Sequence, residues 1–313
     1  MLRGGVLKME IIVLKSHTPD GLPLVATFAP EKGMNLISYR CSDVEVIDQS
    51  TLPLFEERYA GLGALIGPHF HRRRKEILPL IKDESLFPHI ARVKAGGVSE
   101  PFSHGIARYA PWKAEATESR VSAVLSGKDE WNGVTLASLE GQQFEMRFDA
   151  ELSPQGLKID FSITSDGDSL VGLHYYYALT GGLGVVSAHV KPHYNDKGVH
   201  KDIPPTWKYS PEQLLSYDLK EEADWGFQPA TPTGKGEIAL DTEAYALRVQ
   251  YGCGNDENQW QLYHPKGSSF VCIEPMSAAD PRRPQLSASS LHVLITILRL
   301  AENGNLDGAK APG

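Results

Sequence analysis

Apolar and polar residues alternate along most of this chain. In "FEMRFDAEL" every second position, Phe144, Met146, Phe148, Ala150 and Leu152, is apolar; after the turn "SPQG", "LKIDFSIT" repeats the period at Leu157, Ile159, Phe161 and Ile163. A period of two places one set of side chains on one face of a strand, so the two runs predict a hairpin with a shared apolar face. Further extended runs are "MEIIVLK", "LPLVATFAP", "LISYRCS", "VSAVLSG", "VGLHYYYALT", "AYALRVQYG", "QWQLYHP", "SSFVCIEP" and "LHVLITILRL", separated by Gly, Pro, Asp and Asn clusters. Helical signals are few: "SPEQLLSYDL", with Ser210 as an N-cap, and "KEILPLIKD", which Pro79 interrupts. No strand-helix-strand rhythm is present. The pattern predicts an all-β fold, a large antiparallel β-sandwich with few short helices, forming one domain over residues 9 to 300. Residues 1 to 8 read as a leader and 301 to 313 as a polar tail.

Charge and cysteine content narrow the function classes. A formal net charge of −8 in 313 residues gives no global attraction for nucleic acid or an anionic membrane, so neither is an expected partner. Cys41, Cys253 and Cys272 are odd in number and widely spaced, which fits reduced thiols and a cytoplasmic protein. No apolar run reaches the roughly 18 residues that a spanning helix needs.

Four segments set ionisable groups among apolar neighbours. In "FVCIEPMSA", Glu274 precedes a proline that reads as the end of a strand, placing its carboxylate at a sheet rim. Partial desolvation there would make it a stronger base, whereas in solvent it would pair with Arg282 or Arg283. In "GLHYYYALTGG", alternation puts His174 on the face of Tyr176 and turns Leu173, Tyr175 and Tyr177 away; a satisfied core histidine reads the same way. The run "SHGIARYAPW" combines His104, Gly105, Arg108 and Trp112, suiting either a ligand loop or a turn over the core edge. In "GPHFHRRRKE", the His69-x-His71 pair with Glu76 resembles the first metal motif of the cupins, although its closing glycine is replaced by Asp83 and no second motif follows.

Taken in order, these pieces resemble the galactose mutarotase-like superfamily, which comprises the aldose 1-epimerases and hexose-6-phosphate mutarotases. "APEKGMNLISYRCSDVEVID" is similar to its opening, Pro68, His71 and Arg72 to its Pro-polar-Arg element (usually with Asn in place of His71, so that Arg73 is the alternative), and "SHGIARYAPW" to its "HGFAR" signature. "GLHYYYAL" and "VCIEPMSA" follow, so the resemblance spans residues 9 to 300. It implies a supersandwich fold and the interconversion of α and β anomers of an aldohexose or hexose 6-phosphate without a cofactor or metal. It makes Glu274 the base and His174 the acid, gives His104, Arg72, Arg108 and Asp241 to sugar binding, and sets Trp112 as a wall. Arg72, Arg73, Arg108 and Lys75 are the candidate cations for a phosphate. Two alternatives stay open on the residues alone: a carbohydrate-binding sandwich without chemistry, and a cupin-like metal enzyme using His69, His71 and Glu76.

Overall fold

The computed structural model describes residues 10–73, 81–231 and 234–300. Two antiparallel sheets face one another. The first runs from Ile12–His17 through Pro23–Ala29, Asn35–Cys41, Gly63–Ile66, Gly172–Ala178, Phe270–Met276 and Gln259–His264 to Ala223–Pro229. The second runs from Lys113–Ala116 through Arg120–Ser126, Phe144–Ser153, Gly156–Ser165, Ala288–Leu300 and Tyr245–Cys253 to Lys235–Asp241.

One strand, Val185–Asp196, belongs to both. Its first half pairs with Lys235–Asp241 and Leu214–Asp218, and after a register shift between Val190 and Tyr194 its second half pairs with Ala223–Pro229. Such an irregularity bends a strand, which is how one strand passes from one layer to the next.

Alternation builds the core between the layers. The predicted hairpin forms, with Phe148 opposite Phe161, and the predicted apolar positions of both strands are buried. Phe28 of the first sheet meets Phe148 of the second edge to face at 5.8 Å. Two buried hydroxyls reach across: Tyr39 donates to the Ile295 carbonyl at 3.2 Å and Tyr245 to that of Ala178 at 2.7 Å. Each saves a polar group from burial without a partner.

The helices differ from expectation. "SPEQLLSYDL" is a turn followed by the strand Leu214–Asp218, because Gln213 takes a positive φ of 65° and the buried pair Leu215 and Tyr217 follows a period of two. Ser210 caps the turn, its Oγ accepting from the backbone N–H groups of Glu212 and Leu214. "KEILPLIKD" falls largely on 74–80, outside the described residues. Short helices instead occupy Leu52–Arg58, Pro88–Ala95 and Leu136–Glu140. Each is too brief to display a helical period, and tertiary packing holds it. None of the described helices is long and apolar enough to cross a membrane.

Trp112 belongs to this core and not to a ligand wall. It is 5% exposed, packs against Phe148 and Phe161, and its indole N–H donates to the Ala107 carbonyl at 2.8 Å.

Candidate functional site

The face of the first sheet turned away from the core carries the polar chemistry. On Gly172–Ala178, Leu173, Tyr175 and Tyr177 point into the core, leaving His174 and Tyr176 on the other face, stacked at 4.9 Å. The adjacent strand Phe270–Met276 sends Val271 and Ile273 into the core and turns Cys272 and Glu274 to the same side as His174. Tyr175 lies opposite Ile273, so His174 and Glu274 are cross-strand neighbours, with Nε2 3.3 Å from Oε1. Gln261 stands opposite Glu274 on the next strand, and Tyr263 opposite Asp224 on the one beyond. Gln261 donates to the Asp224 carboxylate at 2.7 Å.

Glu274 is therefore in the middle of a sheet and not at its rim. Pro275 does not end the strand, which continues to Met276 with Pro275 opposite Trp260. At 2% exposure the carboxyl is much more deeply desolvated than a rim position would allow.

Loops close the site from above. The segment after Gly63–Ile66 packs on the segment 102–108 through Gly67 N–H donating to the His104 carbonyl (2.9 Å) and Ala107 N–H to the Gly67 carbonyl (3.0 Å). Gly105 makes that approach possible: its φ is 86°, and a Cβ there would lie 2.0 Å from the Gly67 oxygen. His104 is thereby turned toward His174, ring to ring at 5.1 Å. Its Nδ1 accepts from the His71 N–H at 3.3 Å, which leaves Nε2 to carry the ring proton.

These groups enclose a cavity of about 520 Å³, lined by His71, His104, Arg108, His174, Asp224 and Glu274 among others. That volume falls within the range of small-molecule sites. Three residues that line it carry buried polar atoms without a hydrogen-bond partner among the described residues: Nδ1 of His174, Oε2 of Glu274, and Nε and Nη2 of Arg108. Buried polar groups are nearly always satisfied, so such a cluster marks where a polar ligand makes the missing bonds.

Electrostatics follow burial. Desolvation raises the Glu274 carboxyl well above its ordinary range, opposed by the Arg108 guanidinium. Desolvation lowers the His174 imidazole well below its own, and Arg108 adds to that. The neutral forms are favoured, so a singly protonated pair holds its proton mainly on the carboxyl. The base and acid roles that the resemblance implies for Glu274 and His174 require the other arrangement, with the proton on the imidazole. His104 is likewise lowered by burial and by Arg108.

Several sequence expectations are relocated. Arg72 is exposed and lines a separate narrow cleft with His69 and Arg73, because His71 takes a left-handed backbone (φ 62°) and sends its own ring to the cavity. Arg73 is held by Glu100 at 2.8 Å and by backbone carbonyls. Asp241 is a surface carboxylate 3.8 Å from Arg299; Asp224 occupies the cavity instead.

The cupin-like set does not assemble. Residues 67–73 are not a strand, His69 binds Glu140 at 2.7 Å while His71 faces the cavity, and Glu76 lies outside the described residues. Lys75 lies there too. Beside Arg108, the described lysines and arginines that line the cavity are Arg58, Lys197 and Arg282, none of them assigned to it by the sequence. All three come from a helix end or turns, where no periodicity signals direction.

Exchanging the two aspartate assignments gives a direct test. If the cavity takes the sugar that the sequence resemblance implies, Asp224→Ala is expected to raise KM for it about 10-fold or more, the weight of a lost charge-assisted hydrogen bond. Asp241→Ala leaves it unchanged. Steady-state kinetics on both variants distinguish them.

No family model matches the sequence, and no curated protein matches it. Solved structures do. A galactose mutarotase-like protein from Lactobacillus casei superposes with a TM-score of 0.64 at 13% identity, over 92% of this chain and 100% of that one. The GalM/aldose epimerase homologue from C. elegans gives 0.62 at 14%, over 93% and 100%. The Slr1438 protein from Synechocystis sp. PCC 6803 gives 0.61 at 17%, over 95% and 99%.

Proposed function

We propose, for a chain that has the galactose mutarotase-like fold, that it interconverts the α and β anomers of an aldohexose, with a hexose phosphate preferred over the free sugar. The observation that carries this reading is the His174–Glu274 pair, 3.3 Å apart on the floor of a cavity whose buried polar atoms lack partners. The hydroxyl to be deprotonated and the ring oxygen to be protonated are both bonded to one carbon. An acid and a base that serve them must therefore be close neighbours, as these two are.

In the forward step the Glu274 carboxylate takes the proton of the C1 hydroxyl. The bond from C1 to the ring oxygen breaks, its electron pair goes to that oxygen, and His174 Nε2 protonates it. The result is an open-chain aldehyde over a neutral carboxyl and a neutral imidazole. Rotation about the C1–C2 bond presents the other carbonyl face, and closure returns both protons. Burial favours the neutral pair, so it stabilises the state that accompanies the opened sugar; before the step, a direct proton transfer across 3.3 Å converts the resting neutral pair to the carboxylate and imidazolium that begin it. His104, through Nε2–H, and Arg108 donate to sugar oxygens, and Asp224 accepts from hydroxyls.

The preference for phosphate rests on charge. Arg58, Arg108, Lys197 and Arg282 line the cavity against two carboxylates, Asp224 and Glu274. Arg108 alone is nine-tenths buried and close to the reacting pair; Lys197 and Arg282 are exposed at the mouth, where a phosphate keeps part of its hydration.

Proton NMR exchange between anomers tests both statements. Glucose 6-phosphate is expected to exchange faster than glucose at equal concentration, with an advantage that shrinks as salt rises. Equal rates would remove the phosphate preference, and no catalysed exchange with any aldose would leave a binding protein without chemistry.

A further inference from the structure

Cys272 is a buried thiol beside the reacting pair that the epimerase reading does not use. It is 0% exposed, lies two residues before Glu274 on the same face of the same strand, and stands opposite Tyr176 on the histidine strand. One ligand atom each from His174, Cys272 and Glu274 falls within 4.8 Å of the other two. A tetrahedral site with metal–nitrogen, metal–oxygen and metal–sulfur bonds of about 2.0 to 2.3 Å needs its donors about 3.3 to 3.8 Å apart. His174 Nε2 and Glu274 Oε1 already meet that spacing at 3.3 Å, and the Cys272 sulfur, within 4.8 Å of a ligand atom of each, has about 1 Å at most to move.

The donor types select the ion. An imidazole nitrogen, a sulfur and a carboxylate oxygen together suit a thiophilic divalent cation and are poor for magnesium or calcium. Cys272 lies behind the cavity wall that His174 and Glu274 line, so an ion held by all three would have its fourth position on the cavity side, for water or a sugar hydroxyl. Glu274 Oε2 has no partner among the described residues and is free to become a second carboxylate contact. The thiolate and the carboxylate bring two negative charges, matching a dication, so the nearby Arg108 faces a neutralised centre and not an added charge.

We propose that His174, Cys272 and Glu274 form a binding site for Zn²⁺ or a cation of its class, and that its occupation switches the site off. Coordination displaces one proton from the thiol and any proton on the carboxyl to solvent. It also takes the lone pairs of Nε2 and Oε1, which proton transfer to and from the sugar requires, so the ion excludes turnover. The binding half of this statement stands on geometry; the inhibitory half rests on the epimerase reading above.

Cobalt(II) is the probe, because a bound thiolate adds a near-ultraviolet charge-transfer band. The full chain, stripped with chelator, is expected to take up about one equivalent of Co²⁺ with that band and visible bands of a tetrahedral site, both bleached by Zn²⁺. Cys272→Ala loses the charge-transfer band, and its anomer exchange becomes at least 10-fold less sensitive to Zn²⁺. Cys41 and Cys253 are the internal controls, and Cys41→Ala or Cys253→Ala keeps the band. X-ray absorption on Zn²⁺-loaded wild type needs no variant and is expected to show one sulfur at about 2.3 Å. A Zn²⁺ shell without sulfur, or a Co²⁺ band that survives Cys272→Ala, overturns the site. Should the site form while metal-free protein exchanges no anomer, the epimerase reading fails and the metal site stands.

Discussion

Under the proposed function, Glu274→Gln is expected to lower kcat for anomer exchange about 10³-fold, the central range for removing a positioned general base. The amide has almost the volume of the carboxyl, so the 2%-exposed site stays filled and folding is preserved. It cannot accept the C1 hydroxyl proton. His174→Asn produces a loss of the same order, and the double variant is little worse than the weaker single one, because the two groups act as a unit. Polarimetry on freshly dissolved α-sugar, corrected for the spontaneous rate, measures all three. A single variant at wild-type rate removes its residue from the mechanism. The pH profile of kcat/KM carries the same information in wild type. Activity requires one proton on the pair: below the lowered His174 pKa a second proton blocks the base, and above the raised Glu274 pKa no acid remains. The acid limb is therefore expected below the ordinary imidazole value of 6.5, and the alkaline limb well above the ordinary carboxyl value of 4.5. The working tautomer, with the proton on His174, is the minor form throughout that window, but its fraction does not change with pH.

Trp112→Ala costs about 3 to 5 kcal/mol of stability, the range for truncating a large buried aromatic. Its ring fills the space between Phe148, Phe161 and the segment 102–108, and its N–H satisfies the Ala107 carbonyl. Truncation leaves a cavity and an unpaired carbonyl in one change. Denaturant melts read the loss. KM of the folded fraction is expected to stay within a factor of about two, since the indole does not line the cavity. A large rise in KM with unchanged stability would return Trp112 to the sugar.

Where the sequence was readable, a period of two made it so. The shared face of His174 and Tyr176 and the hairpin through Phe148 and Phe161 follow from alternation alone. The order of short motifs pointed to the fold even though overall identity to solved structures that share it is 13–17%. What alternation cannot report is where an irregular segment aims its side chains. Arg72 was assigned from its neighbours in a motif, and a single left-handed residue at His71 sends it outward. Asp224 follows Glu221, Glu222 and Ala223 in a stretch with no pattern that singles it out; only the pairing of its strand with Gln259–His264 brings it beside Gln261. Pro275 read as a strand end, and the true position of Glu274 depended on neighbours distant in sequence.

The strand Val185–Asp196 hydrogen-bonds in both layers, and the turn at its end carries Lys197 to the mouth of the cavity. The layers consequently cannot slide or hinge apart as two bodies without breaking a continuous stretch of backbone. Ligand entry must then be gated by loop and side-chain motion over a rigid floor, which in the proposed reaction keeps His174 and Glu274 in register while the opened sugar turns above them.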